Sequence, residues 1–279
     1  MKVVHGINYS KKNSRMKSYN IITGLPRSGS TLLCNILNQN PKFHASETSA
    51  LPRILIEIKR GWENIVENVA SNNLEIKKNV LKSIVDGYYQ HQDKEQIFDK
   101  NRAWMSEPEL LDTVFQKGNK VIITVRTLND ILASFEKLFR NNNGYFDITD
   151  KKNLGENFKT LDGRINLWAS ANGPVGSTLI QLQEFLIRRN TDVLIIEFDN
   201  LTRYPESVMK EVYKFLDIEY FEHDFNNVTQ TTYEDDRFHG MIGLHNINQV
   251  VKPVTSNAKS ILGDALFKKY NGGEFWRTT

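Results

Sequence analysis

The sequence predicts an α/β domain of the P-loop-like, three-layer kind, in which a central parallel sheet carries helices on both faces. Short apolar runs bounded by turn residues indicate buried strands, and they occupy residues 19–23, 96–99, 121–125 and 193–198. Segments with apolar residues at helical spacing lie between these runs. Strands that alternate with helices are typical of a parallel sheet covered on both faces.

Length and composition bound the domain organisation and the partners. The 279 residues suffice for one α/β domain with a full core. Residues 1–18 are polar and basic, so we expect a flexible N-terminal arm there and a single domain over residues 19–279. A net charge of +3 gives no support for binding nucleic acid.

The same composition predicts the compartment. The first residues contain no apolar core of a signal peptide, and no apolar run reaches the length of a membrane-spanning helix. The single cysteine, Cys34, excludes an internal disulfide and is typical of a reducing compartment. We therefore expect a cytoplasmic protein without membrane partners.

The remaining elements follow from periodicity and turn residues. Helices are predicted over about 32–40, 52–90, 107–116, 129–140, 156–171, 175–188 and 205–216. In the second of these, an apolar stripe is predicted to face the core, and it consists of Ile54, Leu55, Ile58, Trp62, Ile65, Val66 and Val69. Residues 141–153 are polar and predict a mobile loop, and whether it is a lid stays open. The chain after residue 216 shows few periodic signals.

The turn after the first strand carries the clearest functional signal. Gly24-Leu25-Pro26-Arg27-Ser28-Gly29-Ser30-Thr31 fits the phosphate-loop pattern G-x-x-x-x-G-K-[ST], except that Ser30 replaces the lysine. The backbone N–H groups of such a loop surround a phosphate at a helix N-terminus. The lysine reaches the β- and γ-phosphates of a nucleoside triphosphate. A loop without it predicts a nucleotide with a single 5′-phosphate.

The segment Pro26–Leu33 resembles the 5′-phosphosulfate loop of sulfotransferases, which use 3′-phosphoadenosine 5′-phosphosulfate (PAPS) as donor and release the bisphosphate PAP. The second signature of that family is a strand ending in arginine with a serine eight residues later, and here these are Arg126 and Ser134. The resemblance implies that Arg126 and Ser134 hold the 3′-phosphate. It also implies a 5′-phosphosulfate site formed by Arg27, Ser28, Gly29, Ser30 and Thr31.

Two further segments resemble the tyrosylprotein sulfotransferase branch and its bacterial relatives. Glu47–Leu55 is similar to the branch's Glu-Thr-x-x-x-Pro-Arg-Ile-Leu, and Gln249–Val254 to its Gln-Val-Ile-Lys-Pro-Val. The resemblance implies that Glu47 is the catalytic base, while the residues themselves leave open a surface glutamate that caps the next helix. It further implies substrate contacts by Thr48, Pro52 and Arg53, and donor contacts by Gln249 and Lys252.

Four other positions carry roles that the resemblance implies. Lys100 stands where the family has the lysine that stabilises the departing bridging oxygen, and Arg27 also contacts the sulfate. The family's Lys-Asp-Pro is Lys100-Asn101-Arg102 here, so Arg102 is a second candidate for that role or for a substrate contact. A solvated basic pair is the alternative for both. Asn246 stands at a serine that assists the transition state, and Phe198 at a tyrosine near the adenine.

The predicted function is transfer of the sulfuryl group from PAPS to a hydroxyl acceptor by direct in-line displacement. Peptidyl tyrosine, a carbohydrate and a small-molecule alcohol are the candidate acceptors. A P-loop, kinase-like phosphotransferase and a non-catalytic adenosine-bisphosphate-binding homologue are the alternatives. The six histidines and the cysteine show no familiar ligand spacing, and the family requires no metal, so we predict none. The oligomeric state, including a homodimer, stays open.

Overall fold

The computed structural model describes residues 17–115, 119–142, 156–189 and 191–277. Within these ranges, five parallel strands form one sheet in the order β2-β3-β1-β4-β5. Their bounds are Ser18–Gly24 for β1, Phe43–Thr48 for β2, Gln96–Lys100 for β3, Lys120–Val125 for β4 and Asp192–Glu197 for β5. The predicted parallel α/β architecture is confirmed.

Eleven α-helices of the described residues surround the sheet. They are α1 (Ser30–Leu37), α2 (Leu51–Trp62), α3 (Val66–Ser71), α4 (Leu74–Tyr88), α5 (Pro108–Val114), α6 (Leu128–Asn141), α7 (Leu161–Ala169), α8 (Gly176–Arg188), α9 (Phe198–Arg203), α10 (Pro205–Leu216) and α11 (Ala258–Lys269). Short 3₁₀ turns span Arg102–Ser106, Glu156–Lys159, Asp236–His239 and Phe275–Arg277. No helix among the described residues is both long and apolar enough to cross a membrane.

Two hydrophobic cores cover the two faces of the sheet. Adjacent residues of a strand face opposite sides, and accordingly the fully buried Ile21 and Ile22 lie in different cores. The core around Ile21 takes apolar residues from α2, α4 to α8 and α11. The core around Ile22 takes them from α1, α9 and α10. The predicted three-layer arrangement is thus present.

The long helix predicted over residues 52–90 is wrong, because the structure divides it into α2, α3 and α4. Asn72 adopts a left-handed conformation (φ 44°), and the side chain of Asn73 accepts the backbone N–H groups that begin α4. The breaks also disrupt the predicted stripe. Val66 is 75% exposed and Ile54 is 38% exposed, whereas Leu55 faces the core.

Several other boundaries differ from the prediction. Two elements, β2 and α11, were not predicted. β2 is an edge strand, and its pairing with β3 shifts between Ala45 and Thr48. α11 is kinked at Gly263. Phe198 begins α9 instead of ending a strand. Residues 1–16, most of the predicted arm, and 143–155, most of the predicted loop, lie outside the described residues.

Parallel strands place the functional segments together. β1 leads into the phosphate loop, β3 ends at Lys100, and Arg126 and Phe198 directly follow β4 and β5. Because the carboxyl ends of parallel strands share one edge of the sheet, segments distant in sequence meet there.

Candidate active site

A cavity of about 1080 Å³ opens at the carboxyl edge of the sheet. It is lined by many of the residues selected from the sequence, namely Arg27, Gly29, Ser30, Thr31, Thr48, Arg53, Lys100, Arg102, Arg126, Phe198, Asn246 and Lys252. One cavity is therefore lined by the phosphate loop, the ends of β3 and β4 and the segment before α11.

The conformation of the phosphate loop depends on its two glycines. Gly24 has φ 138°, and a Cβ atom there would lie 2.0 Å from the carbonyl oxygen of Thr124 on β4. Gly29 has φ 90° at the start of α1, and a Cβ atom there would lie 2.7 Å from the ring of Phe198. The loop thus packs too closely on its neighbours to accept side chains at these positions.

Ser28 holds the loop in place instead of lining the cavity. Its buried hydroxyl donates to the carbonyl oxygen of Leu25 (2.5 Å) and lies 2.7 Å from the hydroxyl of Thr124. The backbone N–H of Leu25 in turn donates to Thr124 O (2.9 Å). These contacts fix the loop on β4 and leave the N-terminus of α1 facing the cavity.

Two adjacent guanidinium groups give the loop region positive charge. Arg27 Nε donates to Ser134 Oγ (3.1 Å) and Nη1 to the carbonyl oxygen of Leu244, while Arg126 Nη1 donates to Arg27 O (3.3 Å). Burial, and then the charge of Arg126, lower the pKa of Arg27 to about 10, and burial also lowers the pKa of Arg126. Arg126 lies over the ring of Phe198 (4.3 Å), and its buried Nε has no hydrogen-bond partner. Within the described ranges, neither arginine forms an ion pair.

Lys100 is paired with a glutamate that the sequence analysis did not select. Its Nζ lies 2.9 Å from Oε1 of Glu234, and the two side chains are only 5% and 6% exposed. The backbone N–H and the hydroxyl of Thr48 donate to the same oxygen, both at 2.9 Å. Burial alone would raise the pKa of Glu234, but Lys100, nearby His245 and the hydrogen bonds lower it to about 2.

Glu234 belongs to a segment between α10 and α11 that also contains Asp236, His239 and His245. Nε2 of His239 lies 3.1 Å from its Oε2 and Nε2 of His245 lies 3.6 Å from it. Asp236 accepts from Nδ1 of His245 (2.5 Å). The sequence signal was the acidic run Glu234-Asp235-Asp236 followed by two histidines, but its spacing matches no familiar motif.

The structure does not place every predicted residue on the cavity wall. Glu47 is exposed and does not line the cavity, although the next residue, Thr48, does. Pro52 is buried in the first turn of α2, and Ser134 contacts the cavity region through Arg27. Gln249 is exposed and donates to the side chain of Asn227 (2.5 Å).

Arg53 and Arg102 lie on the wall formed by α2 and the turn after β3. The side chain of Arg102 is exposed at the cavity, yet desolvation by the protein around its guanidinium group, and then the charge of Arg53, lower its pKa. Neither arginine forms an ion pair within the described part of the chain. By contrast, Asp99, which precedes Lys100, is fully buried among donors on the opposite side of β3, which are the side chains of Ser49, Tyr89 and Trp104.

Comparison with known proteins gives a family and a fold. A model described as "Sulfotransferase family" matches residues 21–222. The sulfotransferase domain from the curacin biosynthetic pathway is similar in structure (TM-score 0.51, 17% identity, 86% of each chain covered). So is the mouse sulfotransferase SULT7A1 complexed with PAP (TM-score 0.50, 14% identity, 94% of this chain and 87% of that chain). No curated protein matches the chain.

Proposed function

Because the chain belongs to the sulfotransferase family, we propose that it transfers the sulfuryl group of PAPS to a hydroxyl acceptor by direct in-line displacement. The observation that carries the proposal is a phosphate loop without its lysine beside two half-buried arginines, Arg27 and Arg126. Two cations held together without a carboxylate partner among the described residues favour a ligand with more than one anionic group. An adenosine bisphosphate has that character.

In this proposal the donor lies along the cavity wall, with its 5′ end at the phosphate loop and its 3′ end at Arg126. The backbone of Arg27–Thr31 and the start of α1 suit the 5′-phosphosulfate. Arg126 has an unpartnered buried Nε, which suits the 3′-phosphate together with Ser134. In this proposal Phe198 lies against the adenine, and Lys252 and Gln249 act from the segment before α11.

Lys100 is the proposed cation for the leaving group. When the sulfuryl group departs, negative charge develops on the bridging oxygen, and a preorganised ammonium group stabilises it. Lys100 is almost fully buried, so its electrostatic effect is stronger than at a solvated surface. Arg102 lines the same cavity and is the second candidate for this role, and Asn246 is the proposed hydrogen-bond donor to the transition state.

The proposed base is Glu47, as the resemblance implies. Its exposed carboxylate must turn toward the cavity when the acceptor binds, since only Thr48 beside it lines the wall. Glu234 is nearer to Lys100, but its pKa of about 2 makes it a weak base while that ion pair persists.

The proposed acceptor is a peptidyl tyrosine, a carbohydrate or a small-molecule alcohol. Thr48 and Arg53 line the cavity, and Pro52 lies in the first turn of the helix that presents Arg53. Because Arg53 and Arg102 have no ion-pair partner among the described residues, an acceptor that carries negative charge is favoured.

The exposed position of Glu47 favours a second candidate, a homologue that binds adenosine bisphosphate without catalysis. A kinase-like reaction is disfavoured, because Ser30 replaces the loop lysine. Asp99, the acidic residue near the end of β3, is also turned away from the cavity and engaged by three side-chain donors.

Calorimetric titration with adenosine 3′,5′-bisphosphate tests the donor site, with magnesium-ATP as the comparison. We expect micromolar or tighter binding of the bisphosphate and weak binding of ATP. Arg126→Ala should weaken bisphosphate binding about 10- to 100-fold, because hydrogen bonds to charged groups contribute roughly 1.5–3 kcal/mol. Arg188→Ala, which removes an exposed arginine of α8, is the matched control. Binding of ATP but not of the bisphosphate would refute the proposal.

Transfer from PAPS to a panel of hydroxyl acceptors tests catalysis. Glu47→Gln should lower kcat about 10²- to 10⁴-fold, the usual contribution of a general base, and leave bisphosphate affinity unchanged. If Glu234→Gln abolishes turnover while Glu47→Gln does not, the base is misassigned. Bisphosphate binding without turnover on any acceptor would support the non-catalytic candidate.

A further inference from the structure

Glu234, His239 and His245, called here the His–Glu cluster, bring three potential ligand atoms together beside the cavity, which both histidines line. One atom from each side chain lies within 4.8 Å of the others. Oε2 of Glu234 lies 3.1 Å from Nε2 of His239 and 3.6 Å from Nε2 of His245. Ligand atoms about 2.0–2.1 Å from a tetrahedral zinc ion are ~3.3 Å apart, so these spacings suit a shared ion.

The two oxygens of Glu234 have different surroundings. Oε1 accepts from Lys100 and twice from Thr48, as described above. Oε2 is buried and has no hydrogen-bond partner, although both imidazole nitrogens are near it. A buried carboxylate oxygen without a partner is costly. A cation between this oxygen and the two nitrogens would satisfy it.

His245 is held in the orientation and tautomer of a metal ligand. Its Nδ1 lies 2.5 Å from Oδ1 of Asp236, and Oδ2 of Asp236 accepts the backbone N–H groups of Gly243 (2.9 Å) and His245 (3.2 Å). A proton on Nδ1 leaves the lone pair on Nε2, which faces Glu234. A carboxylate that binds the distal nitrogen is the usual support of a metal-binding histidine.

We propose that the His–Glu cluster binds a divalent transition-metal ion, with zinc the ion best suited to two imidazoles and one carboxylate. Three protein ligands leave at least one coordination position, and His239 and His245 both line the cavity, so that position faces the space in which a ligand binds. The site does not depend on the proposed sulfuryl transfer.

The charges around the cluster limit its affinity without opposing the site. Lys100 contacts only Oε1, the oxygen away from the imidazoles. Glu234 and Asp236 supply two negative charges to the cluster, while Lys100 and Arg102 lie close enough to act on Glu234, and Arg27 on Asp236, so these cations lower the affinity for a metal ion. The spacing Glu-x₄-His-x₅-His lies in an irregular segment, which explains why no ligand motif was recognised in the sequence.

Titration of the untagged, chelator-treated protein with Co²⁺, followed by Zn²⁺, tests the site. We expect one equivalent of Co²⁺ to produce the visible absorption bands of a low-symmetry, four- or five-coordinate site and Zn²⁺ to displace it. His239→Ala and His245→Ala should abolish the bands, and His91→Ala, at an exposed histidine outside the cluster, should not. Asp236→Asn should weaken Zn²⁺ binding about 10- to 100-fold.

His239 is 40% exposed, so its replacement is compatible with the fold, and circular dichroism of each variant verifies this. Two results would overturn the proposal. One is the absence of Co²⁺ bands from the wild-type protein. The other is bands that persist in both folded histidine variants, since the ion would then bind elsewhere.

Discussion

Replacement of Gly24 by alanine should destabilise the fold through the contact between the phosphate loop and β4. The added Cβ would lie 2.0 Å from Thr124 O, and backbone contacts under 3.0 Å are essentially never observed. The two strand ends would have to separate by about 1 Å, which disrupts the hydrogen bond from Leu25 N to Thr124 O (2.9 Å).

The expected loss is the sum of three effects. A side chain at positive φ costs about 1–2 kcal/mol, overpacking costs about 1–3 kcal/mol and a weakened backbone hydrogen bond costs about 0.5–1.5 kcal/mol. Because the same relaxation relieves part of each, we expect Gly24→Ala to lower the free energy of unfolding by about 3–4 kcal/mol.

Urea unfolding of wild type, Gly24→Ala and a control measures this loss. The control is Gly87→Ala in α4, where a Cβ would meet nothing within 4 Å. Alanine is the better helix former, so the control should gain about 0.5–1 kcal/mol. A loss below about 1 kcal/mol in Gly24→Ala would refute the claim that the loop is locked onto β4 by close backbone contact.

Two further predictions concern buried charges. Glu136 is fully buried and accepts two hydrogen bonds from Arg164 (2.9 and 2.7 Å). In urea unfolding, Glu136→Gln should therefore lower the free energy of unfolding by about 3 kcal/mol, whereas the control Glu206→Gln on the surface should lower it by less than about 1 kcal/mol. Equal losses in the two variants would contradict the claim that burial makes the first ion pair important. Burial lowers the pKa of His223 to about 4, so the unfolded chain binds the proton first and stability falls as the pH drops from 6.5 to 4. Between pH 7.5 and 4.5 the wild type should lose roughly 2.5 kcal/mol more than His223→Asn, and parallel pH profiles would count against a neutral buried ring.

The sequence predicted those parts of the fold that depend on local pattern. β1, the loop and α1 are contiguous, and the steric need for Gly24 and Gly29 is visible in the motif itself. β2 was missed because a half-apolar edge strand with an irregular register resembles a loop. The single helix over 52–90 was wrong because Asn72 and Asn73 end and restart helices within an apolar pattern.

The candidate site was predicted where a residue follows a strand, and missed where it depends on long-range contacts. Lys100 is the last residue of β3 and Arg126 directly follows β4, so both lie where the strand pattern places a residue at the edge of the sheet. Glu234 reaches Lys100 across 134 residues from a segment without regular structure, so no periodicity pointed to it. The exposure of Glu47 was equally invisible, because Glu47 lies between Ala45 and Thr48, where the pairing of β2 with β3 shifts and strand alternation gives no guide.

Lys100 links the proposed donor site to the His–Glu cluster. An anionic donor brings negative charge toward Lys100 while Glu234 already holds it, so donor binding must displace or share this buried ion pair. A divalent ion on Oε2 would offset the charge of Glu234, weaken its attraction for Lys100 and so free the ammonium group to interact with the donor.

By linkage, zinc should then raise the affinity for adenosine 3′,5′-bisphosphate, and the bisphosphate should raise the affinity for zinc by the same factor. Calorimetric titrations with and without saturating zinc measure that factor, which we expect to be about 5- to 150-fold. His239→Ala should remove it. If the affinity for the bisphosphate is the same with and without bound zinc, donor binding does not compete with Glu234 for Lys100, and the predicted coupling is wrong.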